Sequence, residues 1–379
     1  GHGRRSSVAP AVSTQALSAH EMPPLADAAE LSTEIVYTIV VSPCGRYLFA
    51  GTGHGKLHVW RLSPPPNVSD PLSFAPPTLC GTVQAHGCAI YSLAFAPAAE
   101  GGHLLLSGSD EEIRGWRVDE LVAPGAAPSA KLQLQNPRGE LRRGGLGPLS
   151  ETSALVLDPS SGVLYSAAGD GNAYAWDLGT LQCTGSFKGH SDLLHCLSVR
   201  SRQRQLLSGS EDGTLRLWDV RTFSSTHVLR PDDPQPGSGA TSKPVGGGAG
   251  CGWCSCLAVD MAENWAVAGW GAGLLTSIEL NTLSILAALP TAAAPQAVCF
   301  EAGSDSKLLS VGAESALYHW GVTGSLLKRA PCRVPSAFAL AAHRQESGTQ
   351  LVALGGAAPA IDLFVDTSHR ACSIPLPSM

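Results

Sequence analysis

No run in the 379-residue chain approaches eighteen consecutive apolar residues, the length a bilayer-spanning helix needs. Charged residues are scarce at 15%, and a formal net charge of -6 leaves no global basic field to gather nucleic acid or an anionic membrane surface. A phosphate-cradling G-x-x-x-x-G-K-S/T loop is missing. The eleven cysteines lack the paired spacing of a disulfide framework, so a reducing compartment is expected, with most thiols acting as small buried hydrophobes. Their one cluster, Cys251-Gly-Trp-Cys254-Ser-Cys256, has neither a fourth zinc ligand nor a thioredoxin-like context. No metal and no cofactor is therefore expected.

What the chain does have is glycine (42), proline (27) and 44% hydrophobic residues, mostly small or β-branched and falling in short bursts. That profile predicts many short strands joined by turns. Self-comparison sharpens it. YLFAGTGHGKLHVW ends at Trp60, LLLSGSDEEIRGW at Trp116, VLYSAAGDGNAYAW at Trp176, LLSGSEDGTLRLW at Trp218 and LLSVGAESALYHW at Trp320. Two further copies, WAVAGWGAGLLTSI and LVALGGAAPAIDLF, put Ile278 and Phe364 in the Trp position. Another alternating strand precedes each copy, from VYTIVVSP to SAFALAA.

Successive Trp-equivalent positions are 56, 60, 42, 60, 42 and 44 residues apart, a basic period of about 42 to 44 with insertions. A four-stranded unit of that length ending in Trp-Asp resembles the blade of a WD-repeat protein. The fold class expected is all-β: a seven-bladed WD40 β-propeller with four-stranded antiparallel blades over 33–379. Residues 1–32 read as an N-terminal tail with a short helix expected within 23–32, and 63–77, 122–150 and 231–250 read as insertions outside the ring. The last segment, RACSIPL, supplies the final blade with a fourth strand of its own, so closure is expected to rest on packing between blades.

In WD-repeat blades a His before the blade, a strand Ser, a turn Asp and the terminal Trp commonly form a buried hydrogen-bonded set. The fourth copy supplies all of them as His190, Ser208, Asp212 and Trp218. The demand is physical, because a buried indole N–H needs an acceptor. The second copy keeps His86, Asp110 and Trp116, and the third keeps Ser166, Asp170 and Trp176. A hydrolase triad would use similar residues, yet no Gly-x-Ser-x-Gly elbow surrounds any Ser, so no catalytic residues are assigned and the protein is expected not to be an enzyme. His54 and His58 flank a turn in the first copy and are expected to be exposed. The basic loop groups Arg4–Arg5 and Arg138, Arg142, Arg143 lack interleaved aromatics, so RNA contact is expected only weakly or through a partner.

Residues 206–221, LLSGSEDGTLRLWDVR, also match the box by which some WD-repeat proteins dock on the damaged-DNA-binding adaptor of cullin-4 RING ubiquitin ligases. Asp212 stands at its seventh place, Trp218 at its thirteenth, Asp219 at its fourteenth and Arg221 at its sixteenth. Asp219 and Arg221 are thus candidate partner-binding residues; the same ending also serves as an ordinary blade terminus with Arg221 solvated. Beyond the generic repeat, VSPCGRYLFAGTGHGKLHVWRLS, QAHGCAIYSLAF and GHSDLLHCLSVRSRQRQLLSGSEDGTLRLWDVRT are similar to the WD-repeat subunit 6 family of the THO complex, as are WCSCLAVD and LVALGGAAPAIDLFV. The resemblance implies a nuclear, non-catalytic scaffold that binds the coiled-coil subunits of that complex in coupled transcription and mRNA export. It leaves open a second role as a ligase substrate receptor.

Overall fold

Each copy of the repeat forms one antiparallel sheet whose four strands follow in chain order, and among the described residues seven such sheets stand in succession. This computed structural model describes residues 34–62, 75–110, 112–125, 127–138, 150–231, 250–345, 348–367 and 369–377. The tail and its expected helix within 23–32 lie outside them. Blade four shows the pattern: inner strand Leu194–Arg200, then Gln205–Ser210, Leu215–Asp219 and outer strand Ser224–Leu229. Its second strand is buried from Leu206 to Ser210, which only a strand covered on both faces can be. The protein is a seven-bladed β-propeller with almost no helix, its one helix among the described residues being Val118–Val122.

The small-residue strand has a packing reason. A Cβ on Gly209 would stand 2.4 Å from Cys254 Sγ at the start of blade five, and one on Gly355 would stand 2.8 Å from Val36 Cγ1 at the start of blade one. Glycine at this place lets the next inner strand lie close in five blades, while blades three and six carry Ala167 and Val311 there. The second of these contacts closes the ring. Blade seven builds its sheet from Ala337–Arg344, Gln350–Gly356, Ala358–Val365 and His369–Pro375 without a strand from the N-terminal side. A shared core joins it to blade one, in which Val36, Ile39 and Trp60 pack with Ala339, Leu351 and Ile361.

One assigned insertion is corrected. The span 122–150 holds Leu132–Leu134, which pairs with Ile113–Arg117 as the outer strand of blade two, and the buried Asn136. The strand is only three residues long and is bounded by Pro128 and Pro137, so it is too short to show an alternating pattern.

Candidate functional site

In blade four the turn after Ser210 brings Asp212 back over the approach to the inner strand, with Gly213 at φ +73 making the reversal. Trp218 Nε1 donates to Ser208 Oγ at 2.8 Å, and Ser208 Oγ lies 2.7 Å from His190 Nε2. His190 Nδ1 lies 2.9 Å from Asp212 Oδ2. Donor counting sets the tautomer: Ser208 already accepts from the indole, so its hydrogen goes to Nε2, and Nδ1–H donates to the carboxylate. Asp212 Oδ2 also accepts the Ser191 amide at 3.1 Å, and Oδ1 accepts the Thr214 hydroxyl at 2.6 Å. Burial raises the Asp212 carboxyl, but Thr214, the Ser191 amide and His190 outweigh it and hold it at about 2. Burial likewise lowers His190, which keeps the ring neutral. Thr214 is a fifth member that the sequence reading omitted, although its place directly after Asp212-Gly213 marks it.

The other blades keep parts of this chain. In blade two His86 Nε2 and Trp116 Nε1 both reach Ser107 Oγ, at 2.7 and 3.0 Å. The acid facing His86 is Glu112, 3.8 Å from Nδ1, and not the expected Asp110. The shorter turn places Asp110 beside the Tyr91 hydroxyl instead. In blade three Trp176 donates to Ser166 at 2.9 Å, and Ser166 passes its hydrogen to Asn136 at 3.2 Å, so an Asn fills the slot that His190 fills in blade four. Asp170 binds the Tyr174 hydroxyl at 2.5 Å. Blade six has Trp320 donating to Ser310 at 2.9 Å, and blade five uses Trp270, which donates to Thr276 at 2.9 Å while Ile278 packs in the core. In blade one Ala50 stands where Ser208 would, and the His58 ring lies 5.6 Å from Trp60. His58 is buried, 1% exposed, against the buried Glu34, which overturns its expected exposure. Its side chain faces the neighbouring strand, where Nδ1 meets Thr82 Oγ1 at 2.8 Å.

Asp219 and Arg221 follow at the opposite end of strand Leu215–Asp219 from the Asp212 turn. Arg221 Nη2 and Nε bind the two oxygens of Asp219 at 2.6 and 3.0 Å, and this pairing, with the Arg221 amide, holds the carboxyl at about 2. The Arg221 side chain is 65% exposed. Its guanidinium is therefore held in a fixed orientation while still open to solvent.

Cys196, Cys251, Cys254 and Cys256 are buried and Cys80, Cys299, Cys332 and Cys372 are half-buried against the core, as expected of small hydrophobes, whereas Cys44, Cys88 and Cys183 are exposed. The exposed ones sit in loops or an outer strand, which composition alone does not distinguish. Cys196 and Cys254 approach to 4.0 Å between sulfurs, and that contact, with burial, raises the Cys254 thiol. Among the described residues no cluster of His, Cys, Asp or Glu could hold a metal ion, and no helix is long and apolar enough to cross a membrane.

Seven four-stranded blades, five of them tied by an indole-to-hydroxyl bond, define a WD-repeat propeller, and a family model described as "WD domain, G-beta repeat" matches residues 29–61 and 181–219. Three comparisons narrow the class. The chain is 32% identical to THO complex subunit 6 of Arabidopsis thaliana over 77% of its own length and 75% of that protein's. It is 30% identical to THO complex subunit 6 homolog of Danio rerio, covering 91% and 98% of the two chains, and 28% identical to THO complex subunit 6 of Homo sapiens, covering 89% and 92%. The chain belongs to the THO complex subunit 6 family.

Proposed function

We propose that this protein is a non-catalytic scaffold subunit of a nuclear THO complex, docking on its coiled-coil subunits and supporting assembly for coupled transcription and mRNA export. The observation that carries the reading is family membership across nearly the whole chain. The geometry suits the role. The one Ser/His/Asp set, Ser208, His190 and Asp212, is buried beside an indole and occupied by structural hydrogen bonds, which leaves the surfaces of the blades for docking.

A second docking role rests on Arg221. A fixed, exposed guanidinium at the end of a W-D-x-R blade is the anchor that the adaptor of a cullin-4 ligase would grip, and it lies away from the buried network. The test is a quantitative pull-down from nuclear extract, wild type against Arg221→Glu, with partners identified by mass spectrometry. THO subunits recovered with both proteins support the scaffold reading, and adaptor recovered with wild type alone supports the second. Wild type that recovers no THO component removes the first reading, and equal recovery of THO subunits without adaptor removes the second.

A further inference from the structure

Three consecutive residues from each of the seven inner strands line a central cavity of about 290 Å³. That is the low end for a ligand site, the size of one long side chain more than of a cofactor. The third residue of every triplet is Ile, Leu or Val, from Ile39 in blade one to Leu340 in blade seven, which gives the cavity an apolar floor. The first residues differ around the ring. Blades seven, one and two contribute Phe338, Tyr37 and Tyr91, and the other four contribute Ser153, His195, Ser255 and Gln296. The aromatic third is continuous: Tyr37 stacks on Phe338 with centroids 6.0 Å apart at 25°, and Tyr91 leans on Tyr37 at 5.6 Å. All three are half-buried and offer ring surface to the opening.

In blades two, three and four the turns above this first layer carry carboxylates. Asp110 follows the strand that pairs with Tyr91's, Glu211 holds His195 at 2.5 Å, and Glu151 stands between them on the approach to blade three, close enough to act on Tyr91. Among the described residues Asp110 Oδ1 is closed off from solvent without a hydrogen-bond partner. Burial and then Asp110 push the Tyr91 phenol well above its ordinary range, so this face remains a neutral π-surface. No Lys or Arg lines the cavity.

We propose that this mouth receives the side chain of an arginine or lysine from a basic segment of a partner protein. The cation would lie over Tyr37, Tyr91 and Phe338, with its charge answered by Asp110, Glu151 and Glu211 and its stem against the apolar floor. An aromatic face attracts a cation through its quadrupole, more strongly when both are desolvated, and the carboxylates add directional acceptors. The same field repels phosphate, which disfavours nucleic acid as the occupant. The proposal is independent of the THO reading, because its test requires no THO subunit.

The experiment measures fluorescence anisotropy of a labelled octapeptide of alternating Gly and Arg, and of its twin with citrulline at each Arg, against the whole chain. Citrulline keeps the shape and removes the charge. The Arg peptide is expected to bind, with the citrulline peptide at least about tenfold weaker, and Phe338→Ala and the isosteric Glu211→Gln are each expected to weaken the Arg peptide by several-fold. Arg221→Ala, at the opposite end of blade four, leaves the affinity unchanged. Glu211→Gln keeps the test valid should Phe338→Ala fail to fold. Equal binding of the two peptides, no binding of either, insensitivity to Glu211→Gln, or displacement of the Arg peptide by an oligothymidylate would each overturn the proposal.

Discussion

Blades four and seven share one topology and hold together by different chemistry. In blade four Leu206 pairs with Trp218, and in blade seven Val352 pairs with Phe364 at the same register. Trp218 is 1% exposed and so is Phe364, so both aromatic rings fill the same space between blades. The indole brings an N–H that Ser208 must accept, whereas the phenyl ring brings nothing to satisfy, and Leu354 stands where Ser208 would. The buried Asp362 of blade seven is occupied elsewhere, accepting from the Arg333 amide at 2.6 Å and from the Ser373 hydroxyl. The hydrogen-bonded set thus needs the indole and is not required by the blade, although the indole alone does not bring it, since blade one keeps Trp60 with Ala50 in the Ser place. Blades two, three and six agree, since each Trp there finds a Ser while the next partner is His, Asn or neither.

The largest test of this contrast removes the rings. Trp218→Ala and Phe364→Ala should each cost about 3–5 kcal/mol in urea unfolding, because both leave a buried cavity. Ser208→Ala should cost about 1–3 kcal/mol by orphaning an indole N–H and a His. If Phe364→Ala cost no more than Ser208→Ala, packing alone would not be what holds blade seven. A second test compares blade four with blade two through pH. Burial, then the charge of Arg114, lowers His86 to about 4, while the unfolded chain titrates near 6.5. Unfolded protein therefore binds more protons between those values, so stability is full above pH 6.5, falls as pH drops toward 4 and levels off below, by up to about 3 kcal/mol. Asp212, held at about 2, loses its contribution only below about pH 4, in a separate window. His86→Gln should reduce the slope of the upper window in acid titrations followed by circular dichroism, leaving the share of the other buried imidazoles, His190 and His58 among them, and should leave the lower window. An unchanged upper slope would assign that proton to another group.

The repeat made the ring legible because glycine, Trp and alternation recur at one spacing, and each has a local physical cause. What escaped lay where a residue's role is fixed by a neighbour distant in sequence. Asn136 reads as loop polarity until the chain folds it against Ser166 and Thr152, and His58 reads as a turn residue until Glu34 and Thr82 enclose it. The channel mouth was equally hidden, since Tyr37, Tyr91 and Phe338 are isolated aromatics in sequence and neighbours only once the ring closes. Asp110 passed for a tetrad acid because its turn, one residue shorter than that of blade four, does not show in letters which acid will face His86.

The smallest expected effect on stability is the most informative about function. Arg221 extends past the network on the side away from His190, and its only described side-chain bonds go to Asp219, two residues earlier and itself near the surface. Such an exposed pair contributes little to folding, so Arg221→Ala should change the unfolding free energy by no more than about 0.5 kcal/mol, against about 1–3 for Ser208→Ala one blade-length inward. The comparison thereby separates two meanings of the same motif. If W-D-x-R is a blade terminus only, Arg221→Ala leaves both stability and every partner as they are. If the guanidinium anchors an adaptor, the variant keeps its unfolding curve and loses that one partner. A loss of stability comparable to Ser208→Ala would instead tie Arg221 to the buried network and withdraw it as a docking residue.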